Sequence, residues 1–493
     1  MSQPLNPAET FSVTLDKASA VPMYKQLGEA LRGLIEEGAL GPNAKLPPIR
    51  KLAESLGVNN ITVVNAYKYL ESKRAAYSVM GSGTYAAELR HADGLAQSPA
   101  AEYIHRSMEP PAAQAAGAIN FADTATSSGL FPVEQFKRIF GQVMDRDGGA
   151  AFDYQDSRGF PPLRESLREY LAGWGVRCSE ENIQVISGAQ QGLDIIAKIL
   201  LSPGDCVIVE RPTFYGAVAA FASRGARIAE AELTDDGPDM EKLASLVRIH
   251  KPKLLYIIPN YQTPTCVSYS LEKKRQILAL AYERDLTVIE EDSQSEFYRS
   301  RKPVPLKALD YRNKVIYVKS FSKILMPGLR LGFMTLPARI SRSAPLAKHN
   351  TDISSSGFLQ RAFDLYLRST DFSAHCERMR QEFGRRYDAM LKAADRRLAG
   401  FLDYGRPDGG LCLWMGIRQG GAGEAAGSRG PALGAERLAA ALLERGVIVT
   451  PGSVFYMSGE DAPFFRISFA SAGVGEINAG VKAIGEVMMN LMK

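Results

Sequence analysis

The stretch VKSFSKILMPGLRLGF, Val318–Phe333, decides how the chain is read. The β-branched run from Val315 to Val318 predicts a strand buried on both faces. It ends in two hydroxyls, a lysine and an arginine: Ser320, Ser322, Lys323 and Arg330. A lysine after an apolar run is ordinarily solvated. Here it stands at a strand end among groups that bind anions.

Working outward, four other segments share the layout: IQVISGAQQGLDIIAKIL, DCVIVERPTFYGAVAAFASRG, KLLYIIPNYQ and LTVIEEDSQ. Each opens on a continuous β-rich run and passes into polar or glycine-rich residues. Such runs predict an α/β fold with a mainly parallel sheet, whose ligands gather outside the carboxyl ends of the strands. Those ends supply complementary groups. Gly188, Ala189 and Gln190 start a helix, whose free N–H groups attract anions. Phe214 offers an aromatic face, and Glu291 and Asp292 offer carboxylates. Ser320, Ser322 and Arg330 suit a phosphate. Lys323 is a candidate Schiff-base nucleophile, provided that burial lowers its pKa. An amine for an aldehyde, an anion cradle, a stacking ring and an acid together describe a site for pyridoxal 5'-phosphate. Taken singly, each has a plainer reading as a turn, a solvated strand end or core; the full set in this order does not.

The chain is long enough for more than one domain, with 493 residues, 45% apolar and 23% charged. No run of 18 apolar residues predicts a membrane helix, and no basic-then-apolar leader is read at the N-terminus, so a cytoplasmic protein is expected. The five cysteines (Cys178, Cys206, Cys266, Cys376, Cys412) lack CxxC spacing, and the histidines form no HExxH pair. Neither a disulfide framework nor a metal site is expected. Residues 88–118 are Ala/Pro/Gln-rich and read as a linker. Gly420–Gly434 reads as a surface loop. The expected division is 15–87, a linker over 88–118, and 119–493.

The small module predicts a helix with Leu27, Leu31, Leu34 and Ile35 on one face. A second helix, carrying Leu52, Ala53 and Leu56, stops at Gly57, and a third begins behind Asn59. AAYSVMGSGTYAA follows as a hairpin wing. The third helix would enter a major groove of double-stranded DNA with Asn59, Asn60 and Thr62. Arg50, Lys51, Lys73 and Arg74 would meet phosphate. Residues 21–90 carry nine Lys/Arg against six Glu, a mild basic balance that suits such a partner.

GALGPNAKLPPIRKLAESLGVNNITVVNAYKYLE…GSGTYA closely resembles the GntR-type winged helix-turn-helix of bacterial repressors, over residues 21–87. That family usually has Ser-Arg where Asn59-Asn60 stand here, which implies a different preferred operator. The motifs YQDSRGFPPLRESLREYL, ISGAQQGLD, PNYQTPT, SFSKILMPGLRLGF, GVIVTPGSVFY and FRISFA lie in the order of a class I/II aminotransferase of fold type I. Together the two parts resemble a MocR-subfamily GntR regulator. That resemblance implies a smaller C-terminal α+β subdomain and a head-to-tail homodimer. It makes Lys323 the Schiff-base lysine, with Ser320 and Arg330 on the phosphate and Phe214 on the ring. Tyr154 would reach the phosphate of the partner subunit, and Arg466 would grip an α-carboxylate. QTPTC replaces the family's QNPTG, so Thr263 stands for an asparagine on the cofactor's phenolic oxygen and Cys266 for a glycine. EEDSQS replaces EDDxxY. Ungapped, Glu291 falls where the aspartate on the pyridine nitrogen belongs; a one-residue shift would place Asp292 there. Gln294 or Ser295 stands for the tyrosine.

These departures predict a regulator that binds the cofactor, senses an amino compound and transaminates poorly or not at all. The alternatives are a working aminotransferase and a DNA-binding protein with a cofactor-free dimerisation scaffold.

Overall fold

The computed structural model describes residues 15–16, 19, 21–36, 40, 44–73, 75–79, 82–87, 117–418 and 433–492. Arg74, most of the expected linker and most of the glycine-rich loop at 420–434 lie outside them. The chain forms two compact units, Met1–Ser98 and Pro99–Lys493.

In the smaller unit, α1 (Met23–Glu36), α2 (Ile49–Leu56) and α3 (Asn60–Ser72) precede a hairpin of β1 (Ala76–Val79) and β2 (Gly83–Ala86). Leu27, Leu31, Val63, Ala66 and Leu70 are fully buried between the helices. Gly57 ends α2 with φ +61°, a conformation that a Cβ disfavours. The Asn59 side chain then accepts the Ile61 N–H at 3.0 Å and starts α3. The Tyr67 hydroxyl donates to Pro47 O at 2.6 Å and pins α3 to the segment before α2.

The larger unit is built on an eight-stranded sheet. Its strands are β4 (Ile183–Ile186), β5 (Cys206–Arg211), β6 (Arg227–Thr234), β7 (Gly237–Pro238), β8 (Leu254–Ile257), β9 (Thr287–Asp292), β10 (Val315–Ser320) and β11 (Gly332–Thr335), in the order β4-β11-β10-β9-β8-β5-β6-β7. The β10-β9-β8-β5-β6 pairings are parallel. β11 runs antiparallel between β10 and β4. From sequence, no strand is assigned to LRLGF, whose few strand residues closely follow Arg330. Apolar clusters cover both faces of the sheet, which is why its strands read as unbroken hydrophobic runs. A second, antiparallel sheet holds β12 (Leu402–Tyr404), β13 (Cys412–Ile417), β16 (Phe464–Ser468) and β15 (Thr450–Pro451). Its inner face packs Leu413, Met415, Phe465 and Ile467 against the long helices Thr370–Arg397 and Val474–Leu491. β3 (Ile119–Asn120) pairs with β14 (Val447–Ile448) and joins the start of this unit to its end.

On β9 and β10, Asp292 is the register partner of Lys319. Both are buried, and Lys319 Nζ donates to Asp292 at 3.1 Å and to Glu296 at 2.7 Å. Tyr317 donates a further 2.7 Å bond to Asp292. Burial opposes charge on Asp292, but the lysine and these hydrogen bonds outweigh it and hold the carboxyl below its usual range. Lys319→Met leaves two buried carboxylates without a cation. It is expected to cost about 3–5 kcal/mol in urea unfolding; a loss of under about 1 kcal/mol, the value of an exposed pair, would mean that the cluster is solvated.

Candidate functional site

The site forms where β10 ends. Lys323 follows three residues after the last residue of β10 and is partly buried. Its amine donates to Thr124 Oγ1, and its carbonyl accepts from Thr126 Oγ1 at 2.5 Å. Burial, then the nearby Arg466 guanidinium, push its pKa down to about 8. A lysine near 8 has an appreciable neutral fraction at physiological pH, which an amine nucleophile requires.

The residues expected to bind an anion lie at the start of the Ala189–Leu200 helix. Gly188 caps it with φ +97°. A Cβ there would lie 2.7 Å from Arg330 Nη2, so only glycine lets the guanidinium approach. Arg330, itself at φ +50°, donates to Ser187 O at 2.6 Å. The N–H groups of Ala189 and Gln190 belong to the first turn, which has no intrahelical acceptors. The Gln190 side chain is spent elsewhere, donating to Gly216 O at 2.8 Å, so this residue has only its backbone N–H to offer. Ser320 and Ser322 place their hydroxyls 3.1 Å apart beside Lys323 in the chain. Phe214 lies at the start of the Tyr215–Ala222 helix, its ring 5.0 Å from that of Tyr215.

Strand alternation separates the two acids. Glu291 is turned to the face of Tyr256, whose hydroxyl donates to it at 2.6 Å, and it is within electrostatic range of Lys323. Asp292 points through the other face of the sheet into the Lys319 cluster. The one-residue shift that would bring Asp292 to the site is therefore corrected: its side chain is committed on the opposite face. Burial pushes the Glu291 carboxyl up to about 7. Thr263 Oγ1 accepts from Gln294 Nε2 at 3.3 Å, while Gln294 Oε1 is buried without a partner. Ser295 instead donates its backbone N–H to Asp292 at 3.1 Å. The loop bearing Thr263 is held by Gln262, which donates to Pro212 O at 2.8 Å and to the buried Glu210 at 3.0 Å.

Arg466 comes from the other sheet. On β16 it is the register partner of Trp414 and of Thr450. It donates to Ala122 O at 2.9 Å and packs over the Phe455 ring at 5.0 Å. Its Nε is buried and unpartnered, and among the described residues no carboxylate pairs with it. Tyr154 is 82% exposed on the single chain, away from these contacts. In the smaller unit, Arg50, Lys51, Asn59 and Asn60 are exposed and Thr62 is half-buried. Sequence reasoning missed Ile61, an apolar residue 64% exposed in the first turn of α3. It also missed Thr124 and Tyr256, whose hydroxyl partners lie far away in the chain.

The chain matches the model of aminotransferase class I and II over residues 124–484 and that of bacterial regulatory proteins of the gntR family over 23–86. It is 30% identical to the probable rhizopine catabolism regulatory protein MocR of Rhizobium meliloti, over 81% of this chain and 83% of that one. The chain belongs to the MocR subfamily of gntR regulators. An uncharacterized HTH-type transcriptional regulator of Bacillus subtilis, YisV, is 27% identical over 97% of this chain and 98% of its own length. Among solved structures, the LysN α-aminoadipate aminotransferase of Thermus thermophilus, complexed with N-(5'-phosphopyridoxyl)-L-leucine, superposes with a TM-score of 0.71. It is 30% identical and covers 79% of this chain and 97% of that one. The larger unit therefore has the fold-type I architecture, and the MocR-type protein takes pyridoxal phosphate as its cofactor. The residues present fit it: a depressed amine at Lys323, a glycine-gated helix start under Arg330, and a carboxyl at Glu291.

Two outcomes follow for the purified cofactor-free protein. With Lys323 as the reacting amine, the rate of cofactor uptake is expected to rise with pH through a midpoint of about 8; a midpoint near 10.5, the value of a solvated lysine, would contradict its burial. Gly188→Ala is expected to weaken cofactor binding about 10- to 100-fold by displacing Arg330, as for loss of a charged hydrogen bond. Equilibrium dialysis measures it.

Proposed function

We propose that this MocR-type regulator holds pyridoxal phosphate covalently through the amine of Lys323 and uses it to sense an amino compound that bears a carboxylate. When bound, the cofactor supplies an aldehyde that an amine can exchange onto. The chain supplies the rest. Gly188, Ala189, Gln190, Ser320, Ser322 and Arg330 fix the phosphate, Phe214 stacks on the ring, and Thr263 and Glu291 meet its polar edge. The observation that carries the reading is Arg466: a buried guanidinium with an unpartnered Nε, close enough to Lys323 to lower its pKa. A carboxylate satisfies that N–H while its own amine competes with Lys323.

The three-part division at 15–87, 88–118 and 119–493 and a head-to-tail homodimer in the cytoplasm complete the proposal, with Tyr154 serving the partner's site. A dimer reads two operator half-sites. Effector binding alters operator affinity only to the extent that it favours one conformation of the larger unit. Little or no transamination is expected. Glu291, with its carboxyl pushed up to about 7, is a less constant counter-charge for a protonated ring than an acid held ionised.

The deciding experiment titrates the cofactor-loaded full-length protein with L- and D-amino acids, following cofactor absorption and operator binding in parallel. The expected result is a spectral change and an affinity change at the same concentration, with Arg466→Ala raising that concentration about 10- to 100-fold. Rapid keto-acid formation without operator binding would establish the enzyme reading instead. Operator affinity should also fall steeply with salt, and Arg50→Ala and Lys51→Ala should each reduce the log–log slope by about 1. An unchanged slope would remove those residues from the phosphate contacts.

A further inference from the structure

Cys266 and Cys412, 146 residues apart in the chain, bring their sulfurs to 3.1 Å of each other. Both are buried. Cys266 closes the loop that carries Thr263, and Cys412 opens β13, beside the strand of Arg466. Cys266 sits at φ +57°, a backbone conformation that favours glycine and costs a side chain roughly 1–2 kcal/mol. The aminotransferase pattern has glycine at this position. What the side chain gains there is the contact with Cys412. A hydrogen bond from Cys412 holds the Cys266 thiol below its ordinary pKa, while the Cys412 thiol is raised. Lys323 and Arg466 both act electrostatically on Cys412, so the pair borders the cofactor site. None of this is needed to hold the cofactor or a carboxylate.

We propose that Cys266 and Cys412 are a redox-responsive dithiol that a small hydroperoxide converts to a disulfide, tying the Thr263 loop to β13 and weakening effector binding. The Cys266 thiolate attacks one peroxide oxygen; the O–O bond breaks, and an alcohol or water leaves. The Cys412 sulfur then attacks the resulting sulfenic acid, an S–S bond forms, and water leaves. Two thiols lose two electrons and two protons, and the hydroperoxide takes them up. The sulfurs move together by about 1 Å to reach bonding distance. Burial restricts the reaction to small oxidants. The effect on effector binding rests on the reading of Lys323 and Arg466 given above; the disulfide does not.

The test treats full-length protein with hydrogen peroxide, blocks the remaining thiols, and maps peptides by mass spectrometry. A 266–412 cross-link that dithiothreitol reverses is expected, with Cys178, Cys206 and Cys376 still free. Cys266→Gly, which suits the local backbone, and Cys412→Ser each remove the link. Five free thiols, sulfinic or sulfonic products without a link, or links confined to other cysteines would overturn the proposal. In the cofactor-loaded protein, oxidation should raise the half-saturating amino acid concentration about 10-fold in the wild type and not in Cys266→Gly. A cross-link that leaves this concentration unchanged overturns the regulatory half. If reduced protein responds to no amino acid, the effector reading fails, and the peptide map alone decides the dithiol.

Discussion

The pairing of Lys319 with Asp292 sets the orientation of everything at the site. Side chains alternate along a strand, so committing one residue to one face commits its neighbours to the other. Lys319 and Asp292 are opposite each other on adjacent parallel strands and are buried together with Glu296. Glu291 is thereby turned to the face of Tyr256, and Ser320 to the same side of β10. A slip of one residue on β9 would bury Glu291 among the groups that now surround Lys319. It would also send Asp292 into the apolar layer around Ile289 and Val318. Both changes strand charge in a low-dielectric interior, where an unpaired ion costs several kcal/mol. The register of the site is therefore held from behind, by residues on the opposite face of the sheet.

A second constraint acts on the phosphate side. Arg330 reaches the start of the Ala189–Leu200 helix from a left-handed backbone position, and Gly188 leaves it the space. β11 begins two residues beyond Arg330 and runs back between β10 and β4, so its hydrogen bonds anchor that unusual backbone. The antiparallel strand between β10 and β4 thus carries a cation to a helix start.

The strand runs and the Lys323 neighbourhood were legible because buried parallel strands have an unmistakable composition and because the order of motifs is specific. The separation of Glu291 from Asp292 was not. Both are acids in a run of three, and their faces depend on Lys319, which reads from sequence as one more polar residue before Ser320. β11 was hidden because its few strand residues follow Pro327, Gly328 and a cation, all loop signals. Ile61 was missed because an apolar residue in a helix is assigned to the core unless the packing of its neighbours is known; Val63, Ala66 and Leu70 take that face instead. The contact of Cys266 with Cys412 has no local signal at all, since it joins a loop beside the central sheet to a strand of the C-terminal one.

That last feature bears on how a ligand acts at a distance. Lys323 follows a strand of the central sheet, and Arg466 belongs to the C-terminal sheet. An amino acid held by its amine at the first and by its carboxylate at the second bridges the two. Its binding free energy then depends on their separation, which is the differential affinity that a conformational response requires. A ligand gripped at one end only has no such dependence, however tightly it binds. Under the proposed reading, the length between amine and carboxylate, more than the side chain, sets how strongly such a ligand couples the two sheets.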